Sequence, residues 1–505
     1  MRWSSNYLYN VGLAVLINRI VIQYSVGIVD ISKDNNRWNI NVVPGTEFQL
    51  LDSYDQILRK KMEAGPIENR KKFFEKWNVV VDGNFDEVLK KYSNAMQINT
   101  DEASPYDPEL IYKMMKEGIL LYPVSFGNLL RYHAEDEVVI HMLNISVHMA
   151  KRWMRDAGID VESSFNGVSF LDILIVVSII IAMHIRHGVY LHYSLDRKDI
   201  NIPCSITIWS SFDDIFNEIN LILKMDKNTV RKILDIISLN NTTFESVSKN
   251  EDFYMPLLIE IGNELYVRPI SSLSVNPFFY IRKYLFDRHR DAYNNVVSKR
   301  EKIFRDDIYY MFKGNRYQCI ESNVKIKNSS GSILTDIDAA VFDVVDNSLA
   351  LFQLKWQDFD TNNTLALRSK SKNLVFEIDN WGLKLDTWLQ DVDIETIKRT
   401  FQIKSKSKKI IIYLFAVSRG FSKTESFGFS SELSKLAITT YSYFQRIRGE
   451  IGPNQPIFPM IHRKIKEDRA ELEQIYPKPT SFTIDNNSFN LERYWFSLPD
   501  ELYPE

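Results

Sequence analysis

The sequence predicts a multidomain chain: a mainly α-helical N-terminal region followed by an α/β domain with a mixed central sheet. Three observations lead there. At 505 residues the chain is longer than one simple core accommodates. Apolar residues recur at helical spacing through most of the first 250 positions. Between Met255 and Ile270 the period changes to that of strands, MPLLIEI and LYVRPI around a Gly262-Asn263 turn. Beyond that point helix and strand patterns alternate.

The elements follow in order. Helix patterns cover about Tyr7–Gln23, Gln56–Trp77, Phe85–Tyr92, Pro108–Glu117, Asp136–Asp156, Phe170–His187 and Ser211–Leu223, with a short strand at Trp38–Val43. The N-terminus has an apolar centre but no small-residue cleavage site, so it reads as folded protein. The run Phe170–Met183 is strongly apolar. It falls short of the ~20 residues that span a bilayer and is interrupted by Asp172, so it reads as a buried core helix. The 255–270 hairpin closes the helical region or docks it on the α/β domain. Next come a long helix over Tyr280–Phe312, a strand near Tyr317–Ile326, two strands within Thr335–Gln357, a helix at about Asn373–Leu389 and a strand at Lys409–Val417. The domain expectation is therefore a helical sensor, partner-binding or regulatory domain at 1–250, a hairpin and connection at 251–285, an α/β domain at 286–430, and a C-terminal extension at 431–505 packed on it.

Composition narrows the function classes. Lys and Arg total 62 against 65 Asp and Glu, a net charge of −3, so there is no global basic field and nucleic-acid contact must come from local patches. The two cysteines, Cys204 and Cys319, have no metal-ligand spacing and cannot form a disulfide framework. A reducing, cytoplasmic setting fits. No Walker-type phosphate loop, GxGxxG or GxSxG is present, so nothing points to ATP or a dinucleotide. His184, His187 and His192 cluster in sequence, but no Cys or Glu stands at a zincin spacing, and helix-end packing is the better reading.

The chemistry-bearing stretch is TDIDAAVFDVVDNSLALFQLKWQ, Thr335 to Gln357. It reads as two strands joined by a polar turn at Asp346, Asn347 and Ser348. Alternation puts Asp336 and Asp338 on one face of the first strand, and Gln353 and Lys355 on one face of the second. Phe352, Leu354 and Trp356 point the other way. Acid, amide and amine on neighbouring strands are the groups that hold Mg²⁺ and steer a water at a phosphodiester.

At these residues the chain resembles the PD-(D/E)xK, or restriction-endonuclease-like, nuclease superfamily. The pattern stands here as Asp338 … Gln353-Leu354-Lys355 and covers roughly residues 290–430. The variant with Gln is similar to type IV restriction enzymes and several phage-defence effectors. The resemblance implies Asp338 and Gln353 as metal ligands, Lys355 beside the attacking water, Asp336 as a further candidate ligand, and Mg²⁺ as cofactor with Mn²⁺ as substitute. It also implies an acid on the preceding helix. Glu301 is the one polar member of the stripe Val297, Glu301, Phe304, Ile308, Met311 and is the candidate. Arg368, Lys370 and Lys372, in a Ser-rich loop before the next helix, and Lys404 and Lys406 further on, are candidates for phosphate contacts. The expected activity is DNA hydrolysis in bacterial defence. RNA as substrate, or a nuclease-like scaffold without activity, are the alternatives.

Overall fold

The computed structural model describes residues 29–43, 108–124, 127–248, 255–357, 364–419, 433–471, 476–484 and 487–497, with short gaps at 196, 270–271, 274, 321–323, 329 and 453, and scattered positions outside these runs. The expected helices Gln56–Trp77 and Phe85–Tyr92, and nearly all of Tyr7–Gln23, lie outside the described residues. The chain divides into two compact units, one of 82–303 and one combining 1–81 with 304–505.

The first unit is built around the helix Phe170–Tyr193, capped by Ser169, whose hydroxyl accepts from Asp172 N. It continues past the expected His187. It is long and apolar enough to cross a membrane, the one such helix among the described residues, yet 83% of its most apolar window is buried within the protein. Asp136–Asp156, Phe212–Ile222, Lys227–Ile237 and Pro277–Arg288 pack their apolar faces into the same core. The 255–270 hairpin forms as Leu258–Gly262 and Leu265–Pro269. It pairs on one side with Thr207–Ser211 and on the other with Ser238–Leu239, making a four-stranded sheet. The hairpin is therefore an internal part of this unit. That corrects the boundary at 250, because both strands that flank the hairpin come from before that position.

The expected helix Tyr280–Phe312 is three helices: Pro277–Arg288, Arg290–Val297 and Arg300–Tyr310. The breaks fall at His289, whose φ of −143° is not helical, and at the Ser298-Lys299 turn. The stripe that joined Val297 to Glu301 is broken there.

The second unit holds a five-stranded sheet in the order Tyr317–Cys319, Ala339–Asp343, Ser348–Trp356, Ile411–Arg419, Leu436–Thr440. The first three strands are antiparallel and the last two join in parallel. Alternation sorts the central strand cleanly. Ala350, Phe352 and Leu354 enter one core with Phe304, Ile308, Phe444 and Phe458. Leu349 and Leu351 enter the other with Leu374, Ile378, Trp381 and Leu385. The sheet is thus sandwiched, with the helices Arg300–Tyr310, Tyr441–Glu450 and Ile457–Glu471 on one face and the long helix Thr364–Asp391 on the other. Leu436–Thr440 and the helices after it belong to this core, so the α/β domain runs beyond the expected limit of 430. Residues 29–42 belong to the same unit but to a separate four-stranded sheet: the hairpin Val29–Asp34/Arg37–Val42 pairs, through Arg37–Val42, in parallel with Asn487–Ser497. The N-terminal 250 residues are therefore not one domain.

Candidate active site

Asp338 sits where a strand turns away from the sheet. Ile333–Ile337 pairs with Val324–Lys327 in a separate two-stranded hairpin, Asp338 forms a bend, and Ala339–Asp343 enters the central sheet. The ladder with the central strand stops at Ala339 opposite Phe352. Beyond it the Asp338 side chain takes over: its Oδ2 accepts from Leu354 N at 2.7 Å and from Gln353 Nε2 at 2.5 Å. The Asp338 backbone N–H donates to Phe352 O at 3.1 Å, and Arg305 Nη1 donates to Asp338 O at 3.4 Å. A carboxylate that replaces a ladder acceptor is fixed in place by the strand it serves.

Gln353 and Lys355 continue the Leu349–Leu351 face, as alternation requires. Gln353 is 7% exposed. The long helix covers this face. It runs opposite to the central strand, with Glu377 at the Lys355 end and Trp388, packed on Phe401, at the other. Lys355 Nζ donates to Glu377 Oε2 at 2.9 Å. One turn on, Trp381 Nε1 donates to Asp336 O at 2.9 Å and ties the helix to the outer hairpin. The site is therefore Asp338, Gln353, Lys355 and Glu377. Glu377 was not picked out from the sequence. Its signal is weak: an acid on an exposed helix face looks like any solvated residue until the strand beneath is known.

Three expected placements change. Asp336 lies exposed in the two-stranded hairpin opposite Lys325, so the bend at Asp338 ends the shared strand face that joined the two acids. Glu301 lies exposed in the first turn of Arg300–Tyr310 and falls in the 82–303 unit, while the inward acid of that helix is Asp307, paired with Arg419. Arg368, Lys370 and Lys372 stand on the first turns of the long helix, which begins at Thr364 instead of Asn373, so they are helical and not in a loop. They precede Glu377 by five to nine residues, roughly 8–14 Å along the axis, at the site's end of the sheet. Lys404 and Lys406 are exposed in the segment before Ile411–Arg419. Ser348 pairs with Ile411 and Lys355 with Ser418. That puts these lysines at the opposite end of the sheet from Lys355, seven residues or roughly 23 Å away.

The donor set suits a hard divalent cation: a carboxylate and an amide on adjoining strands, each carrying an oxygen ligand atom. Among the described residues no three of His, Cys, Asp and Glu gather into a metal-holding group. In the present arrangement Gln353 turns its NH₂, not its oxygen, to Asp338. The amide NH₂ donates to the carboxylate, where an inward amide oxygen would face a second acceptor. The terminal amide torsion is broad, so turning the oxygen inward needs no backbone change. His184 and His187 are buried, with Nδ1 and Nε2 bonded to the carbonyls of Ile180 and Ser205 at 2.7 Å each, which is helix packing. Burial, partly opposed by those bonds, lowers both imidazoles to about 4. Cys319 is a free thiol that burial raises to about 11, so it is unreactive at neutral pH.

No family model, curated protein or solved structure matches this chain.

Proposed function

We propose that the protein is a Mg²⁺-dependent nuclease of the PD-(D/E)xK type that hydrolyses DNA phosphodiesters, acting in the cytoplasm as an endonuclease in bacterial restriction or anti-phage defence. The observation that carries this reading is the direct bond between Asp338 and Gln353 at the end of the central strand, with Lys355 on the same face. A solvated hairpin has no reason to bury an amide against an acid there. Asp338 and Gln353 would hold the cation, and Mn²⁺ would substitute. When bound, the metal supplies Lewis-acid polarisation of a phosphoryl oxygen and a water of lowered pKa. Asp338, fixed by Leu354 N, keeps its carboxylate aimed at the scissile group. Lys355 places an ammonium where it stabilises negative charge developing on the phosphate and on the attacking oxygen. Arg368, Lys370 and Lys372 would bind backbone phosphates on the site's side of the sheet.

The test is incubation of the purified protein with plasmid, linear duplex, single-stranded DNA and RNA in Mg²⁺, Mn²⁺ or EDTA. Metal-dependent cleavage of DNA, lost in Asp338→Asn and Lys355→Ala, is expected. Cleavage of RNA alone would reassign the substrate. Equal activity of wild type and both variants would remove the site from the reaction.

A further inference from the structure

We infer that Glu377 is the second carboxylate of this site, and that its ion pair with Lys355 is the resting arrangement from which a divalent cation draws it. The inference rests on the metal-site reading above and extends it to a helix. Charge is the first reason. Asp338 contributes −1, Gln353 nothing and Lys355 +1, so the three strand residues alone present no net charge to a divalent ion. Mg²⁺ is ordinarily held by one or two carboxylates together with waters and substrate phosphates. Glu377 is an acid in contact with one of the three, its Oε2 2.9 Å from Lys355 Nζ. Freedom is the second reason. The Glu377 side chain is 57% exposed, so it is not locked by packing, and its pairing with Lys355 is open to solvent on the Glu377 side. Position is the third. Ile378 and Trp381, just beyond Glu377, are core residues against the face that carries Gln353 and Lys355, and Trp381 is hydrogen-bonded to Asp336 O. The helix backbone at Glu377 is therefore fixed beside the site while its side chain is free to turn. Exchange of the Glu377 carboxylate from Lys355 to a cation would also release the lysine for phosphate.

The experiment is Mn²⁺ titration without nucleic acid, by calorimetry and by electron paramagnetic resonance. It uses the full chain and the variants Glu377→Gln, Lys355→Ala, the two combined, and Asp338→Asn, each checked for an unchanged circular dichroism melt. Glu377→Gln should weaken Mn²⁺ binding at least tenfold. Lys355→Ala should tighten it several-fold by releasing Glu377, and that gain should shrink when Glu377→Gln is already present. If Glu377→Gln binds Mn²⁺ like wild type while Asp338→Asn does not, Glu377 is only the counter-ion of Lys355 and the inference is overturned with the metal site intact. If Asp338→Asn binds as tightly as wild type, the metal-site reading falls and takes the inference with it.

Discussion

Asp338 has a structural role and, on the proposed reading, a catalytic one, and substitutions separate them. Its carboxylate satisfies Leu354 N and Gln353 Nε2. Asp338→Ala leaves both donors without that acceptor in a largely buried setting and should cost about 1–3 kcal/mol. Asp338→Asn keeps an acceptor oxygen and should be far milder on stability while still abolishing cleavage. Urea unfolding of the two variants checks this; equal stability would mean the hydrogen bonds contribute little. The arrangement of these side chains was readable in the sequence because a period of two fixes which side chains share a face. The pairing of Asp338 with Gln353 and the shared face of Gln353 and Lys355 needed nothing more. Asp336 was misplaced because alternation presumes an unbent strand, and no residue type in TDID announces the bend. The buried histidines give a residue-scale prediction of another kind. Their pKa values lie near 4 in the folded protein and near 6.5 when unfolded. The folded state thus holds fewer protons in between. Stability is full above about pH 6.5 and is lost as pH falls toward 4, at up to about 1.4 kcal/mol per pH unit for each histidine. Unfolding midpoints at pH 7 and pH 5 should differ less in His187→Gln than in wild type; an unchanged difference would assign the acid sensitivity elsewhere.

Among elements, the long helix and the helix Arg300–Tyr310 matter most. The first brings Glu377 to Lys355 and carries Arg368, Lys370 and Lys372 on its opening turns. Replacing all three cations should weaken nucleic-acid binding and flatten its salt dependence, by a log–log slope of about 0.9 for each duplex phosphate that is no longer neutralised. The same replacement of Lys404 and Lys406 should leave that slope unchanged, since they stand at the far end of the sheet. The helix Arg300–Tyr310 is pinned by Asp307 to Arg419, whose guanidinium lies 5.0 Å from the Trp356 ring centroid and 4.9 Å from that of Tyr441. Both partners are buried, so Asp307→Ala removes a carboxylate from the Arg419 guanidinium beside the end of the Gln353–Lys355 strand and should cost about 1–3 kcal/mol, read by chemical denaturation. A loss under about 1 kcal/mol would show that other partners of Arg419, or water, take the place of the carboxylate. Helix starts were the least legible feature here. The long helix begins nine residues before its expected N-terminus because Ser369 and Ser371 looked like loop residues. Ser371 is in fact fully buried on the inward face, one turn before Leu374.

At the scale of the whole molecule, the sequence revealed the change from helical to strand periodicity but not which distant segments meet. Leu258–Pro269 looked like a connector and is the middle of a four-stranded sheet; Leu436–Thr440 looked like the start of a tail and is the fifth strand of the central sheet. Strand partnership depends on tertiary context that local pattern does not carry. The pairing of Arg37–Val42 with Asn487–Ser497 is the extreme case, with Asn39 opposite Asn490 and 451 positions between them. Deleting 476–497 should leave the Val29–Val42 hairpin protease-sensitive while Ala339–Trp356 stays protected in limited proteolysis. Loss of protection in both would mean that the two sheets fold as one unit. That pairing also has a consequence in time. On a ribosome adding about 5–20 residues per second, Arg37–Val42 waits roughly 20–90 s for its partner. Until then it presents a bare strand edge. A polypeptide that stops short of Asn487 would keep that edge exposed and open to pairing with another chain.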